Sequence, residues 1–213
     1  MKIGFIGTGQ VGGALAQRLG ARGHSIYLGS RGQTSSGQDS LTQSIGANAQ
    51  VLSIQETIAS SDVIFLATPW GAVEAIAKEN MNELQNKVLI DCTNPLKPDL
   101  SGLQISVDSS GGEFLQNILK ETKVVKAFNT VGFNIMMNPV IDGRKAVMYF
   151  CGNDQEARFI TQTLIKELDF HPVDAGDITS ARLLEPFALL WISTAYKYGL
   201  SRDFAFSIIK NKK

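Results

Sequence analysis

The chain has 213 residues, and its 20 lysines and arginines balance 20 aspartates and glutamates. This length allows one large domain, or one domain with an appendage, that buries a proper core. The balanced charge argues against a basic surface for nucleic acid or a membrane, and no apolar run is long enough to span a bilayer, so we expect a cytoplasmic protein.

The amino-terminal stretch predicts a strand, a tight turn and a helix in immediate succession. Apolar residues from Ile3 to Ile6 predict the strand, and the glycine-rich turn after it opens directly onto a helical pattern. Gly7 would allow the tight turn, Gly9 would let the backbone approach a pyrophosphate, and Gly12 would let helix and strand pack closely. A pyrophosphate is favoured at the helix start by unpaired N–H groups and the helix dipole. The turn has the G-x-G-x-x-G spacing of a dinucleotide-binding motif, in the sequence Gly7-Thr8-Gly9-Gln10-Val11-Gly12.

The end of the second predicted strand indicates which dinucleotide is bound. The strand at residues 25–28 is followed, after one glycine, by Ser30 and Arg31, where an NAD-specific site has an acidic residue for the ribose 2′-hydroxyl. A hydroxyl followed by a guanidinium suits a 2′-phosphate instead, and Thr8 could add a second hydroxyl. We therefore expect NADP(H); the alternative is that Arg31 is a solvated loop charge. The polar segment 32–40 predicts a loop beside this phosphate.

Three later apolar strands, predicted at residues 62–67, 87–91 and 123–128, are each followed by polar residues. The carboxyl ends of parallel strands line the ligand crevice of such a sheet, so we expect the residues after them beside the cofactor. In chain order these residues are Thr68, Pro69 and Trp70, then Asn94, then Asn129, Thr130 and Val131.

Two of these residues allow a second interpretation. Trp70 could instead be the first core residue of the following helix. Asn94 is a candidate contact to the nicotinamide half, but an Asn-Pro pair is also an ordinary turn signal.

Cysteine and histidine positions indicate structure rather than metal chemistry. Cys92 and Cys151 lie at the ends of apolar strands, where reduced thiols are commonly buried. His24 and His171 have no spacing that suggests ligation, so we expect no metal site and place His24 in a turn or on the surface.

The last long apolar segment predicts a helix from about residue 181. Its apolar residues occupy nearly the whole circumference, so it should be buried on more than one side, either at a subunit interface of a homodimer or inside the chain. Arg182 and Glu185 are spaced to pair one turn apart, and Pro186 should kink or restart the helix.

Strands alternate with helices from end to end, which predicts an α/β fold with a Rossmann-type doubly wound parallel sheet and a small carboxyl-terminal helical extension. We expect residues 1–152 to form the NADP-binding domain. Residues 153–213 would form a small subdomain that contains the apolar helix, the acceptor side and the dimer contact.

Beyond the glycine turn, several motifs give the chain a family resemblance. It resembles the NADPH-dependent reductases of the deazaflavin coenzyme F420, and it is similar to the cytoplasmic reductase domain of the STEAP metalloreductases. The resemblance implies a dimeric Rossmann protein that moves hydride between NADP(H) and a deazaflavin or flavin, with 2′-phosphate contacts at Thr8, Ser30 and Arg31. It rests on Gly7–Gly12, Gly29-Ser30-Arg31, Thr68-Pro69-Trp70, Val124-Val125-Lys126-Ala127-Phe128-Asn129-Thr130, Asp174-Ala175-Gly176 and Ala181-Arg182-Leu183-Leu184-Glu185-Pro186.

Direct hydride transfer between two rings needs no protein acid or base, so no catalytic side chain is expected. The small-molecule acceptor should lie between residues 129–131 and the loop around Gly176. One alternative is an imine or ketoacid dehydrogenase, for which Lys126 is the only positioned proton donor. Another alternative is a non-catalytic NADPH sensor.

Overall fold

In the residues that the structure describes, eight strands form one sheet and two further strands form a short hairpin. The computed structural model describes residues 1–32, 36–209 and 211. The strands are β1 (Lys2–Ile6), β2 (Ser25–Ser30), β3 (Ala49–Ser53), β4 (Val63–Leu66), β5 (Val88–Asp91), β6 (Lys123–Lys126), β7 (Val140–Ile141), β8 (Arg144–Lys145), β9 (Val147–Gly152) and β10 (His171–Asp174). The α-helices are α1 (Gln10–Ala21), α2 (Ser36–Ile45), α3 (Ile54–Ser60), α4 (Val73–Glu79), α5 (Gly111–Ile118), α6 (Phe133–Met137), α7 (Gln155–Glu167) and α8 (Ala181–Ile192).

The order of the sheet confirms the predicted fold class. The strands lie in the order β10-β9-β6-β5-β4-β1-β2-β3, and the six from β3 to β6 are parallel. The order reverses between β1 and β4, which creates the crevice where Rossmann-type folds bind ligands.

The direction of the last two strands in the sheet differs from the predicted all-parallel arrangement. β9 pairs antiparallel with β6, and β10 pairs parallel with β9. A parallel return from β6 would need a full crossover connection. Between β6 and β9 the chain forms only the short α6 and the β7–β8 hairpin. β9 therefore starts on the side of the sheet where β6 ends, and it runs antiparallel to β6.

Both faces of the central strands are buried. In β4, Val63 and Phe65 belong to one apolar cluster and the intervening Ile64 and Leu66 to the other, on opposite faces of the sheet. The rings of Phe5 and Phe65 stack at 4.8 Å between centroids. This double burial explains why the strand sequences are continuously apolar.

Two local expectations are wrong. His24 is only 7% exposed, because its ring lies between the amino terminus of Met1 (3.1 Å) and the carboxylate of Glu167 (2.7 Å). The predicted loop at 32–40 is helical from Ser36 onwards, and its residues 33–35 lie outside the described part of the chain. The two free cysteines are buried as expected, and burial raises the pKa of Cys151 to about 12.

The closing helix α8 buries one side only. Leu184, Ala188 and Trp191 are buried, whereas Leu183 and Leu190 on another face are 72% and 54% exposed. The helix runs through Pro186 without interruption and continues as a π-helical turn, so it does not restart there. Among the described residues, no helix is both long and apolar enough to cross a membrane.

Candidate functional site

The glycine turn has the geometry that the motif predicts. Gly7 has a φ of +103°, and a side chain there would overlap the carbonyl of Ala67 at the end of β4. A Cβ atom at Gly12 would overlap the carbonyl oxygen of Gly7. At Gly9 a Cβ atom would have no neighbour within 4 Å among the described residues, so that position faces open space between them. Two glycines therefore allow close packing, and the third leaves room for a ligand.

Helix α1 begins beside this open space without a capping side chain. Its N-cap residue is Gly9, and its first turn contains no acidic residue. The N–H groups of the first turn and the helix dipole therefore remain available to an anion.

A cavity of about 480 Å³ lies beside the turn, above the end of β2. Its wall includes Thr8, Ser30 and Arg31, and Ile54 and Ile76 contribute apolar surface. Arg31 is exposed and forms no ion pair with any described residue, so its guanidinium is available to a ligand. The three residues predicted for the 2′-phosphate thus lie around one cavity.

A second cavity of about 360 Å³ adjoins the first. The two cavities share Ala67, Thr68 and Pro69, so one groove crosses the ends of β1, β4 and β5. The second cavity also includes Val11, Trp70 and Asn94 in its wall.

Trp70 fits both of its interpretations. It lines the groove, and its ring also packs on Phe114 of α5 at 5.6 Å between centroids.

The residues that follow β6 lie behind the groove rather than in its wall. The side chain of Asn129 donates to Asn94 Oδ1 at 3.0 Å, and the Asn94 side chain donates to the Asn129 carbonyl at 2.9 Å. Asn129, Thr130 and Val131 are buried and line neither cavity. Phe128, with a φ of +58°, turns the chain at this strand end.

Three buried polar atoms at these strand ends have no hydrogen-bond partner among the described residues. They are Thr68 Oγ1, Asn129 Oδ1 and Thr130 Oγ1. Buried polar groups are normally paired. Of these three residues, Thr68 alone lines the groove, so its unpaired hydroxyl is the one beside the space for a ligand.

A buried charge network near the second cavity was not predicted. The Lys126 ammonium contacts Asp91 Oδ2 at 2.9 Å and Glu185 Oε1 at 2.8 Å, and all three side chains are fully buried. Burial alone would lower the pKa of Lys126, but the two carboxylates outweigh it and raise that pKa. Lys126 therefore stays charged and cannot reach a substrate as a proton donor.

The predicted pairing of Arg182 with Glu185 is wrong. Arg182 pairs with Glu113 at 2.6 Å on the surface, while Glu185 points inward. A buried charge without a partner is costly. The buried carboxylate of Glu185 therefore pairs with the equally buried ammonium of Lys126. A signal for the network was present in the sequence, because Lys126 and Glu185 each interrupt an otherwise apolar run.

The strand order, the glycine turn and the two-part groove together define a Rossmann-type fold with a crevice of the kind that binds a dinucleotide. Residues 2–95 match the family model described as NADP oxidoreductase, coenzyme F420-dependent. The resemblance predicted from the sequence is thereby confirmed.

Individual proteins extend the match over nearly the whole chain. The F420-dependent NADP reductase of Methanocaldococcus jannaschii is 29% identical over 93% of this chain and 94% of its own length. The metalloreductase STEAP3 of Rattus norvegicus is 29% identical over 88% of this chain, which spans only 36% of that protein. The crystal structure of a putative F420-dependent NADP reductase from Arthrobacter sp. FB24 superposes with a TM-score of 0.88, at 28% identity, over 99% of this chain and all of the other.

More distant structures share the fold alone. A reductive aminase from Aspergillus terreus, solved with NADPH, superposes with a TM-score of 0.68 at 17% identity. The match covers 92% of this chain and 61% of that enzyme.

Substitution of Gly12 by alanine should abolish nucleotide binding. The new methyl group would overlap the Gly7 carbonyl, so helix α1 must move away from the turn. Gly13→Ala is the matched control, because its Cβ would lie an ordinary 3.6 Å from the nearest atom. Calorimetric titration with NADPH should show no binding for Gly12→Ala and unchanged binding for Gly13→Ala. Equal affinities of the two variants would contradict this account of the turn.

Proposed function

We propose that the protein transfers hydride between NADP(H) and a small-molecule acceptor of the flavin type, either the deazaflavin coenzyme F420 or a flavin. The observation that carries the proposal is the continuous groove from Arg31 to Asn94. Both residues lie in the part of the chain that matches the model of the coenzyme F420-dependent NADP oxidoreductases. Full-length relatives named F420-dependent NADP reductases support the deazaflavin as the first candidate.

The groove can hold the two halves of NADP(H) at its two ends. Thr8, Ser30 and Arg31 would bind the 2′-phosphate, and residues 9–12 would bind the pyrophosphate at the start of α1. Residues 68–70 would lie along the middle of the cofactor. Asn94 would contact the nicotinamide half, with Asn129, Thr130 and Val131 supporting it from behind.

Direct hydride transfer suits the side chains at this end of the groove. The bound nicotinamide supplies the hydride, and the protein aligns the rings and excludes water. Cys92 lines the cavity, but burial raises the pKa of its thiol well above the usual range. Lys126, the proton donor that an imine or ketoacid dehydrogenase would need, is buried between two carboxylates. This burial favours a flavin-like acceptor over an imine.

The carboxyl-terminal part would complete the acceptor side and the assembly. We infer that residues 1–152 hold NADP(H) and that residues 153–213 provide the acceptor side and the contact of a homodimer. The exposed Leu183 and Leu190, seven residues apart on α8, support such a contact. We also infer a cytoplasmic location, which the two buried free cysteines support.

The acceptor can be identified with the purified protein and NADPH under anaerobic conditions. NADPH oxidation would be followed with coenzyme F420, flavin mononucleotide, a cyclic imine and a ketoacid in separate reactions. We expect turnover with coenzyme F420 or the flavin. Turnover with only the imine or the ketoacid would overturn the proposal in favour of a dehydrogenase, and binding without any turnover would indicate a sensor.

Arg31→Ala should weaken NADPH binding roughly ten- to a hundredfold, as expected for loss of a charge-assisted hydrogen bond. The affinity for NADH should not change, because NADH has no 2′-phosphate. Arg22→Ala is the control, since Arg22 pairs with Asp169 and lines neither cavity. Dissociation constants from fluorescence titration test this, and an equal loss for both nucleotides would remove Arg31 from the specificity site.

Replacement of Leu183 and Leu190 by glutamate should convert a dimer into monomers, because four charges would then be buried in a symmetric contact. Phe159→Glu is the control, since Phe159 is 67% exposed but lies on α7. Sedimentation velocity distinguishes the species. A monomeric unsubstituted protein at micromolar concentration would refute the dimer.

A further inference from the structure

The buried network of Asp91, Lys126 and Glu185 carries one positive and two negative charges. Burial of charges costs several kcal/mol for each ion unless they are paired and hydrogen-bonded. The second carboxylate has additional donors, because Glu185 Oε2 accepts from the Gly111 N–H at 2.9 Å and Oε1 from the Gly112 N–H at 3.1 Å. These N–H groups begin helix α5, whose dipole also favours the negative charge. Hydride transfer itself does not require this arrangement.

The network holds the strand ends that form the nicotinamide side of the groove. Asp91 Oδ1 accepts from the backbone N–H of Thr93 at 2.9 Å and from its hydroxyl at 2.7 Å. Thr93 and the following Asn94 both lie in the groove wall. The direction of the chain after β5 is therefore set at Asp91.

Glu185 connects to the same wall by two further routes. Asn129 donates to the carbonyl of Leu184, the residue before Glu185, at 3.2 Å and to Asn94 Oδ1 at 3.0 Å. A Cβ atom at Gly111 would lie 2.9 Å from the Trp70 ring and 3.1 Å from Glu185 Oε1. The turn that Glu185 holds therefore packs directly against Trp70.

We propose that Glu185 is a positioning residue for the nicotinamide half of the cofactor. One route runs from the neighbouring Leu184 carbonyl through the Asn129 side chain to Asn94. The other runs from the Glu185 carboxylate through the first N–H groups of α5 to Trp70. Glu185 itself would not touch the cofactor. None of the network residues lines the cavity at Arg31, so the effect is confined to one half of the groove. The inference rests on the proposed function, since it assigns the nicotinamide to this half.

Glu185→Gln tests the proposal with almost no change in size. Both carboxylate oxygens of Glu185 accept N–H groups, so the amide NH₂ of glutamine must face a donor whichever way it turns. We expect kcat for NADPH oxidation to fall at least about tenfold, as for a small displacement of reacting groups. NADP⁺ should lose affinity, while the dissociation constant of 2′,5′-ADP, which lacks the nicotinamide, should not change.

Glu113→Gln is the matched control. The Glu113–Arg182 pair also joins α5 to α8, but on the surface, so its loss should leave kcat and both dissociation constants unchanged. If Glu185→Gln does not fold, Asn129→Ala offers a second variant that breaks the link without unpairing a buried charge, and the same selective losses are expected.

The outcomes separate the two proposals. If the unsubstituted protein binds neither NADP⁺ nor 2′,5′-ADP, the proposed function fails. If it binds both, and folded Glu185→Gln or Asn129→Ala keeps kcat and the NADP⁺ affinity, the positioning role is overturned while the function stands. Equal weakening of NADP⁺ and 2′,5′-ADP would show general destabilisation and would also overturn it.

Discussion

The close approach of three backbone segments at the glycine turn is the constraint on which the rest of the structure depends. Gly7 packs against the carbonyl of Ala67, and Gly12 packs against the carbonyl of Gly7, so neither position has room for a side chain. This contact fixes the start of α1 against the ends of β1 and β4. Because the sheet order reverses at these two strands, the unpaired N–H groups of the helix face the crevice.

The two ends of the groove differ in what holds them in place: close backbone packing at one end and buried charged side chains at the other. At the Arg31 end, glycines bring the backbone segments close together, and Arg31 is exposed. At the Asn94 end, the charged side chains of Asp91, Lys126 and Glu185 are buried and hold the surrounding segments in place. Removal of one partner from such a buried pair typically costs about 3–5 kcal/mol, because the remaining charge is then buried without a partner.

The reversed strands explain how the carboxyl-terminal part reaches this end of the groove. β9 runs back along β6, and α7 and β10 return the chain to the edge of the sheet before α8 begins. Helix α8 then packs against α5 and presents Glu185 to Lys126. Its opposite face carries the exposed leucines. One helix thus combines an inward attachment beside the groove with exposed apolar residues on its outer face.

The sequence by itself predicted the Rossmann-type fold, the glycine turn, and the positions of Arg31 and of the residues after β4 and β5 in the groove wall. These features depend on the order and spacing of residues that are close together in the chain. Tertiary structure decided the direction of β9, the burial of His24, and the position of Asn129 behind the groove. It also decided the partner of Glu185, which binds Gly111, 74 residues away, rather than Arg182 one turn before it. Local spacing offered only Arg182, and the packing of α8 on α5 buried Glu185 and left Arg182 to pair with Glu113.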